Sequence, residues 1–124
     1  MKKKKILIVE DENSLQNAMR EFLLAENFNV VTADDGEMAV NLAKNEKPDL
    51  IMLDIILPKK DGFEVLAEVK VDERTRNIPI ILLTNLEDAG DIERAFSLGI
   101  NMYLVKSNYS LSDIVNKIKG VLKN

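Results

Sequence analysis

Five short apolar runs, each followed by a segment with helical spacing, constrain this chain more than any other feature. They are Lys5 to Val9, Asn29 to Ala33, Leu50 to Leu53, Ile80 to Leu83 and Ile100 to Val105. Runs of this length bounded by polar residues read as strands. Most are apolar at odd and even positions alike, so both faces of each strand must be covered. That is the situation of a parallel sheet between two layers of helices.

The intervening segments supply those helices. Leu15, Met19, Phe22 and Leu23 recur at one-turn intervals, Asn13 and Gln16 have capping-box spacing, and this first helix is predicted to run to about Asn27. A second, from Asp35 or Gly36, places Met38, Ala39, Leu42 and Ala43 inward and stops before Pro48. Asp61 and Glu64 open a third that carries Phe63, Leu66 and Val69 and ends near Val71. The fourth, about Asp88 to Leu98, aligns Ile92, Ala95 and Phe96 and meets Gly99, a residue suited to a left-handed stop. Ser110 and Asp113 start the last, with Ile114, Val115, Ile118 and Leu122 inward. At 124 residues the chain has the size of one domain, and with 46% hydrophobic residues, 5 Gly and 3 Pro it has a core and no linker composition. One domain over residues 1–124 is expected. Strict strand–helix alternation with right-handed crossovers predicts a single doubly wound (βα)5, flavodoxin-like three-layer α/β sandwich with parallel sheet order 2-1-3-4-5.

Charge and missing residue types narrow the chemistry. A net charge of -4 argues against a surface that tracks nucleic-acid phosphates and for protein partners. Lys2 to Lys5 precede only Ile6 to Val9 before Glu10, too short for a signal peptide, and no apolar run approaches the ~20 residues that span a bilayer. A soluble, cytoplasmic protein without membrane contact is expected. The chain has no Cys and no His, which excludes disulfides, thiolate or imidazole nucleophiles and bases, and the usual zinc sites. Any metal must bind through oxygen, favouring Mg2+, Mn2+ or Ca2+.

In a sheet of this kind ligands bind beyond the carboxyl ends of the strands. There the sequence places Glu10 and Asp11 after the first strand, Asp54 after the third, Thr84 after the fourth and Lys106 after the fifth. Carboxylates gathered in one place repel, and a divalent cation relieves the conflict. Asp11 and Asp54 are the expected direct ligands, Glu10 acts through water, and a backbone carbonyl near Ile56 completes the oxygen shell. With metal and Lys106 neutralising the phosphoryl oxygens, Asp54 becomes a credible phosphoryl acceptor that needs no general base, and the Thr84 hydroxyl suits the new group. Taken singly, Glu10 and Asp11 read equally well as loop or cap residues, Thr84 as structural and Lys106 as a solvated charge. Asp54, inside the run Leu50 to Pro58, is harder to explain without a partner. Tyr103 and Phe96 read as core or partly buried aromatics. Ile56 and Leu86, two positions beyond Asp54 and Thr84, are expected to border the site with apolar side chains that limit water access and slow hydrolysis of an acyl phosphate.

The motifs Ile6-Leu7-Ile8-Val9-Glu10-Asp11-Glu12, Leu53-Asp54-Ile55-Ile56-Leu57-Pro58 with Asp61-Gly62, Leu82-Leu83-Thr84 and Tyr103-Leu104-Val105-Lys106 resemble, over about Lys4 to Leu122, the receiver domain of bacterial two-component response regulators. The resemblance implies that Asp54 takes its phosphoryl group from the phosphohistidine of a sensor histidine kinase or phosphotransfer protein, with Mg2+, or Mn2+ in its place, held by Glu10 and Asp11. It further implies that Thr84 and Tyr103 rearrange together and alter the face of helix four, strand five and helix five toward a downstream protein target or a second phosphorylated copy. The chain would then assist only its own phosphorylation and dephosphorylation rather than turn over a substrate. It departs from the family's usual pattern at Ser107, where proline commonly follows the lysine, and at Asn85, larger than the residue often found after the threonine. No output domain follows, so a stand-alone regulator or a piece of a longer protein is expected.

Other functions fit less well. An aspartyl-nucleophile phosphatase typically carries a second Asp two positions on, where this chain has Ile56. A flavodoxin-like carrier needs a phosphate loop where Glu10-Asp11-Glu12-Asn13 would repel it, and no G-x-x-x-x-G-K-[ST] loop is present. A pseudo-receiver that only binds proteins would not require the set Glu10, Asp11, Asp54, Thr84 and Lys106.

Overall fold

A computed structural model describes residues 2–123. Its elements are β1 (Lys5–Val9), α1 (Asn13–Ala25), β2 (Asn29–Ala33), α2 (Gly36–Glu46), β3 (Leu50–Leu53), α3 (Gly62–Val71), β4 (Ile80–Thr84), α4 (Ala89–Ser97), β5 (Met102–Val105), a single 3-10 turn (Lys106–Asn108) and α5 (Leu111–Leu122). All strand pairs are parallel, and the sheet order is β2-β1-β3-β4-β5, as the alternating pattern predicts. None of the described helices is long and apolar enough to cross a membrane.

Strand periodicity divides the core in two. Leu7, Val9, Ile51, Leu53, Ile80 and Leu82 face one helical layer, where Val40, Leu66 and Ala95 meet them. Ile6, Ile8, Leu50, Met52, Ile81 and Leu83 face the other, against Met19, Leu23, Ile114 and Ile118. Every residue of β3 and β4 is buried, so residues that follow these strands leave from the most fixed part of the sheet.

Local signals explain most helix ends. Asp61 with Glu64 and Ser110 with Asp113 form complete capping boxes, and Gly99 has φ 97° after α4. The start of α1 differs from expectation. Its N-cap is Glu12, with no side-chain cap, and Gln16 is turned inward instead of closing a box on Asn13. Helix α1 ends at Ala25, because the chain reverses at Asn27 with φ 75°. Strand β5 begins at Met102 rather than Ile100, which packs into the core ahead of it.

Three apolar residues expected inward point out. In α2 the buried stripe is Gly36, Ala39, Val40 and Ala43, and Met38 lies about 150° from its middle and is exposed. Phe22 is exposed beside the buried pair Met19 and Leu23. In α4 Ala95 is the one buried residue, and the neighbouring Phe96 is 50% exposed. The peptide bonds of the described residues are trans, that between Lys106 and Ser107 included.

Candidate functional site

Where β1 and β3 end, two carboxylates come off buried strands. Glu10 N–H donates to the Ala33 carbonyl (3.1 Å) and Asp54 N–H to the Val9 carbonyl (3.1 Å), so each continues its strand before the chain turns away. Both side chains are buried, while the intervening Asp11 is exposed. One carboxylate oxygen from each of Glu10, Asp11 and Asp54 lies within 4.8 Å of the others.

Lys106, the first residue after β5, reaches into this cluster. Its Nζ lies 2.7 Å from Glu10 Oε1 and 2.7 Å from Asp54 Oδ2. The remaining oxygens are also engaged: Glu12 N–H donates to Glu10 Oε2 (3.1 Å) and Ile56 N–H to Asp54 Oδ1 (3.3 Å). No buried side-chain nitrogen or oxygen among the described residues lacks a partner. Burial pushes the Glu10 carboxyl up, opposed by hydrogen bonds from Lys106 and the Glu12 backbone. For Lys106 burial acts to lower the pKa, yet the hydrogen bonds to Asp54 and Glu10 leave it raised, so the ammonium is charged. One positive charge thus faces three carboxylates. The donors are all hard oxygens with a net negative charge, a set that fits a hard divalent cation such as Mg2+ or Mn2+.

Thr84 and Tyr103 meet elsewhere. The Thr84 side chain is buried at the end of β4, and its Oγ1 accepts a long hydrogen bond from Leu86 N–H (3.4 Å). The Tyr103 hydroxyl donates to the Leu86 carbonyl (2.7 Å). Both side chains therefore hold the backbone of one residue, on the loop that leads into α4. Burial raises the Tyr103 pKa, with the charges of Asp91, Asp54 and Asp88 adding to it. Ile56, whose N–H donates to Asp54, is 58% exposed, and Leu86 is half-buried.

Two glycines shape the site through close approaches that no local sequence pattern reveals. A Cβ on Gly62 would fall 2.5 Å from the Asp54 carbonyl oxygen and 2.5 Å from Ile55 Cα, so α3 can start against the back of Asp54 only with glycine there. A Cβ on Gly36 would fall 2.0 Å from the Lys60 carbonyl oxygen, where the start of α2 abuts the loop after Asp54. The Gln16 amide is buried near the site rather than closing a capping box with Asn13. Its signal was available: a polar side chain three residues before Met19 and seven before Leu23, on the stripe that must face the sheet.

Known proteins share this architecture. Residues 6–119 match the family model for the response regulator receiver domain. The probable transcriptional regulator ycf27 of Guillardia theta is 40% identical over 121 residues, covering 98% of this chain and 46% of that protein. The alkaline phosphatase synthesis transcriptional regulatory protein PhoP of Bacillus subtilis (strain 168) is 37% identical over 120 residues, covering 97% and 49%. The chain spans about half the length of these curated relatives. Among solved structures, the receiver domain of a sensor histidine kinase from Pseudomonas aeruginosa PAO1, with a magnesium ion coordinated in its active site cleft, has a TM-score of 0.89 and 29% identity. The match covers 99% of this chain and 100% of that one. A family match over nearly the whole chain, on a sheet of this order, means that the chain belongs to the response regulator receiver domains of two-component signalling.

Proposed function

We propose that residues 1–124 act as one phospho-accepting receiver in which Asp54 takes a phosphoryl group from the phosphohistidine of a sensor histidine kinase or phosphotransfer protein. The observation that carries this reading is Lys106, bound at 2.7 Å to both Asp54 and Glu10 beside Asp11. A carboxylate oxygen of Asp54 forms the O–P bond as the N–P bond of the donor breaks, and the electron pair stays on the donor imidazole. Asp54 is a carboxylate that needs no base to become a nucleophile, in keeping with a chain that has no His. Lys106, already charged and aimed at Asp54, stabilises the equatorial phosphoryl oxygens during transfer. Glu10, Asp11, Asp54 and the Ile56 carbonyl are the residues assigned to hold Mg2+. When bound, that ion supplies the positive charge that lets an anionic phosphoryl group approach a cluster of carboxylates.

The product mark is read through Leu86. The Thr84 hydroxyl turns to the phosphoryl group, gives up its long bond to Leu86 N–H, and so loosens the loop that Tyr103 also holds. The face of α4, β5 and α5 then changes its affinity for a cytoplasmic protein target. No turnover of an external substrate is assigned. Incubation with a small phosphoryl donor, followed by intact-mass measurement, tests the assignment. One base-labile phosphoryl group is expected with Mg2+, and none without Mg2+ or in Asp54→Ala; the same mass gain in Asp54→Ala would refute it.

A further inference from the structure

We propose that Gln16 is a positioning residue that grips the β1–α1 loop on both sides of Asp11 and so sets the geometry of the cation site. The inference rests on the metal assignment given above and adds to it a residue outside the acidic cluster. Gln16 is a buried polar side chain, 7% exposed, in the first turns of α1. Its Nε2 donates to the Glu10 carbonyl at 2.8 Å, to Asp34 Oδ1 at 2.8 Å and, less closely, to the Ala33 carbonyl at 3.3 Å. Its backbone N–H donates to the Glu12 carbonyl at 3.0 Å. The peptide unit before Asp11 is therefore tied by the Gln16 side chain, and the Glu12–Asn13 unit, one residue past Asp11, by the Gln16 backbone as the first bond of the helix.

All three partners of Nε2 are acceptors, so only the NH2 end of the amide can face them and the orientation of the group is fixed. The same contacts tie the ends of β1 and β2 together beyond their last ladder bond, Glu10 N–H to Ala33 O. An exposed Asp11 on an untied loop would sample many positions. Metal ligands held by such outer hydrogen bonds bind more tightly because the ordering is done before the ion arrives. A carboxylate at position 16 would meet three acceptors and reverse the effect. A leucine of similar volume would leave the Glu10 carbonyl without its donor.

The test compares wild type, Gln16→Leu, Gln16→Asn and Met19→Ala. Met19 is buried on the same face of α1 one turn later, and its truncation weakens packing without touching the loop. Mg2+ affinity is measured by titration, and exchange of the Asp11 and Glu12 amides is measured without metal. As long as a variant stays mostly folded, lost stability alone leaves its apparent affinity unchanged. Gln16→Leu is expected to weaken Mg2+ binding by about 10-fold or more, the usual range for lost outer-shell partners, and to speed loop exchange. Gln16→Asn, one methylene short, should fall between it and wild type, and serves alone if Gln16→Leu does not fold. Met19→Ala should bind Mg2+ as wild type does. A Gln16→Leu protein that binds Mg2+ as tightly as Met19→Ala would overturn the proposal. Absence of Mg2+ binding by wild type would instead defeat the metal assignment, and the metal role of Gln16 with it. Unchanged loop exchange in Gln16→Leu would show that the grip itself is absent.

Discussion

Helices α3 and α4 follow the two neighbouring buried strands β3 and β4, yet they are held in opposite ways. Half of α3 is buried, through Gly62, Phe63, Val65, Leu66 and Val69, and its first N–H donates to the Ile55 carbonyl at 2.7 Å. In α4 only Ala95 is buried, and the stretch from Glu87 in the preceding loop to Gly90 in its first turn is exposed. Few buried apolar groups and exposed backbone mark the low-stability part of a fold. The helix after Asp54 is a fixed wall, and the helix after Thr84 is the part that can yield.

The largest contrast should appear when one methyl group is added at each helix start. Gly62→Ala drives a Cβ to 2.5 Å from backbone atoms of Asp54 and Ile55, which should cost about 3 kcal/mol, the upper end for overpacking. Gly90→Ala meets only the end of the Asp88 side chain at 3.0 Å. With the gain in helix propensity it should stay within about 1 kcal/mol of wild type. Urea midpoints check the pair, and equal losses would break the distinction between wall and yielding helix.

A smaller effect is expected at the residues that lead into these helices. The Ile56 and Leu86 side chains offer water no hydrogen bond, and if they border the proposed phosphoryl site as the sequence leads us to expect, the acyl phosphate should be long-lived. Ile56→Asn and Leu86→Gln should each shorten the lifetime of the phosphoryl group at saturating Mg2+, Ile56→Asn more, since that side chain is the freer of the two. Lifetimes followed by intact mass decide it. If neither variant loses the group faster, apolar shielding does not set the rate.

Strands, sheet order and the residues at the strand ends were legible because each rests on short-range chemistry. A run such as Leu50 to Leu53 is apolar on both faces whatever surrounds it, and Asp61 with Glu64 makes the same box in any context. Depth was not legible. Helical spacing identifies a stripe but not how far the helix sinks, so Phe96 and Met38 were assigned inward although their helices rest on the smaller residues beside them. Gln16 suits two roles equally, a capping box with Asn13 and a buried bridge between strands. Only the packed structure decides between them. Gly62 stands out in the sequence only as the neighbour of Asp61 in the family motif, because the close approach behind Asp54 that requires it comes from a contact across a loop.

Amide exchange of α3 and α4 before and after phosphorylation tests most directly whether charge placed on Asp54 is read at the yielding helix. The account predicts altered exchange from Asn85 through Val105, little change over Gly62–Val71, and a Thr84→Ala protein that still takes the phosphoryl group but shows a reduced response around Tyr103. Equal responses in α3 and α4, or a full-sized response in Thr84→Ala, would contradict it.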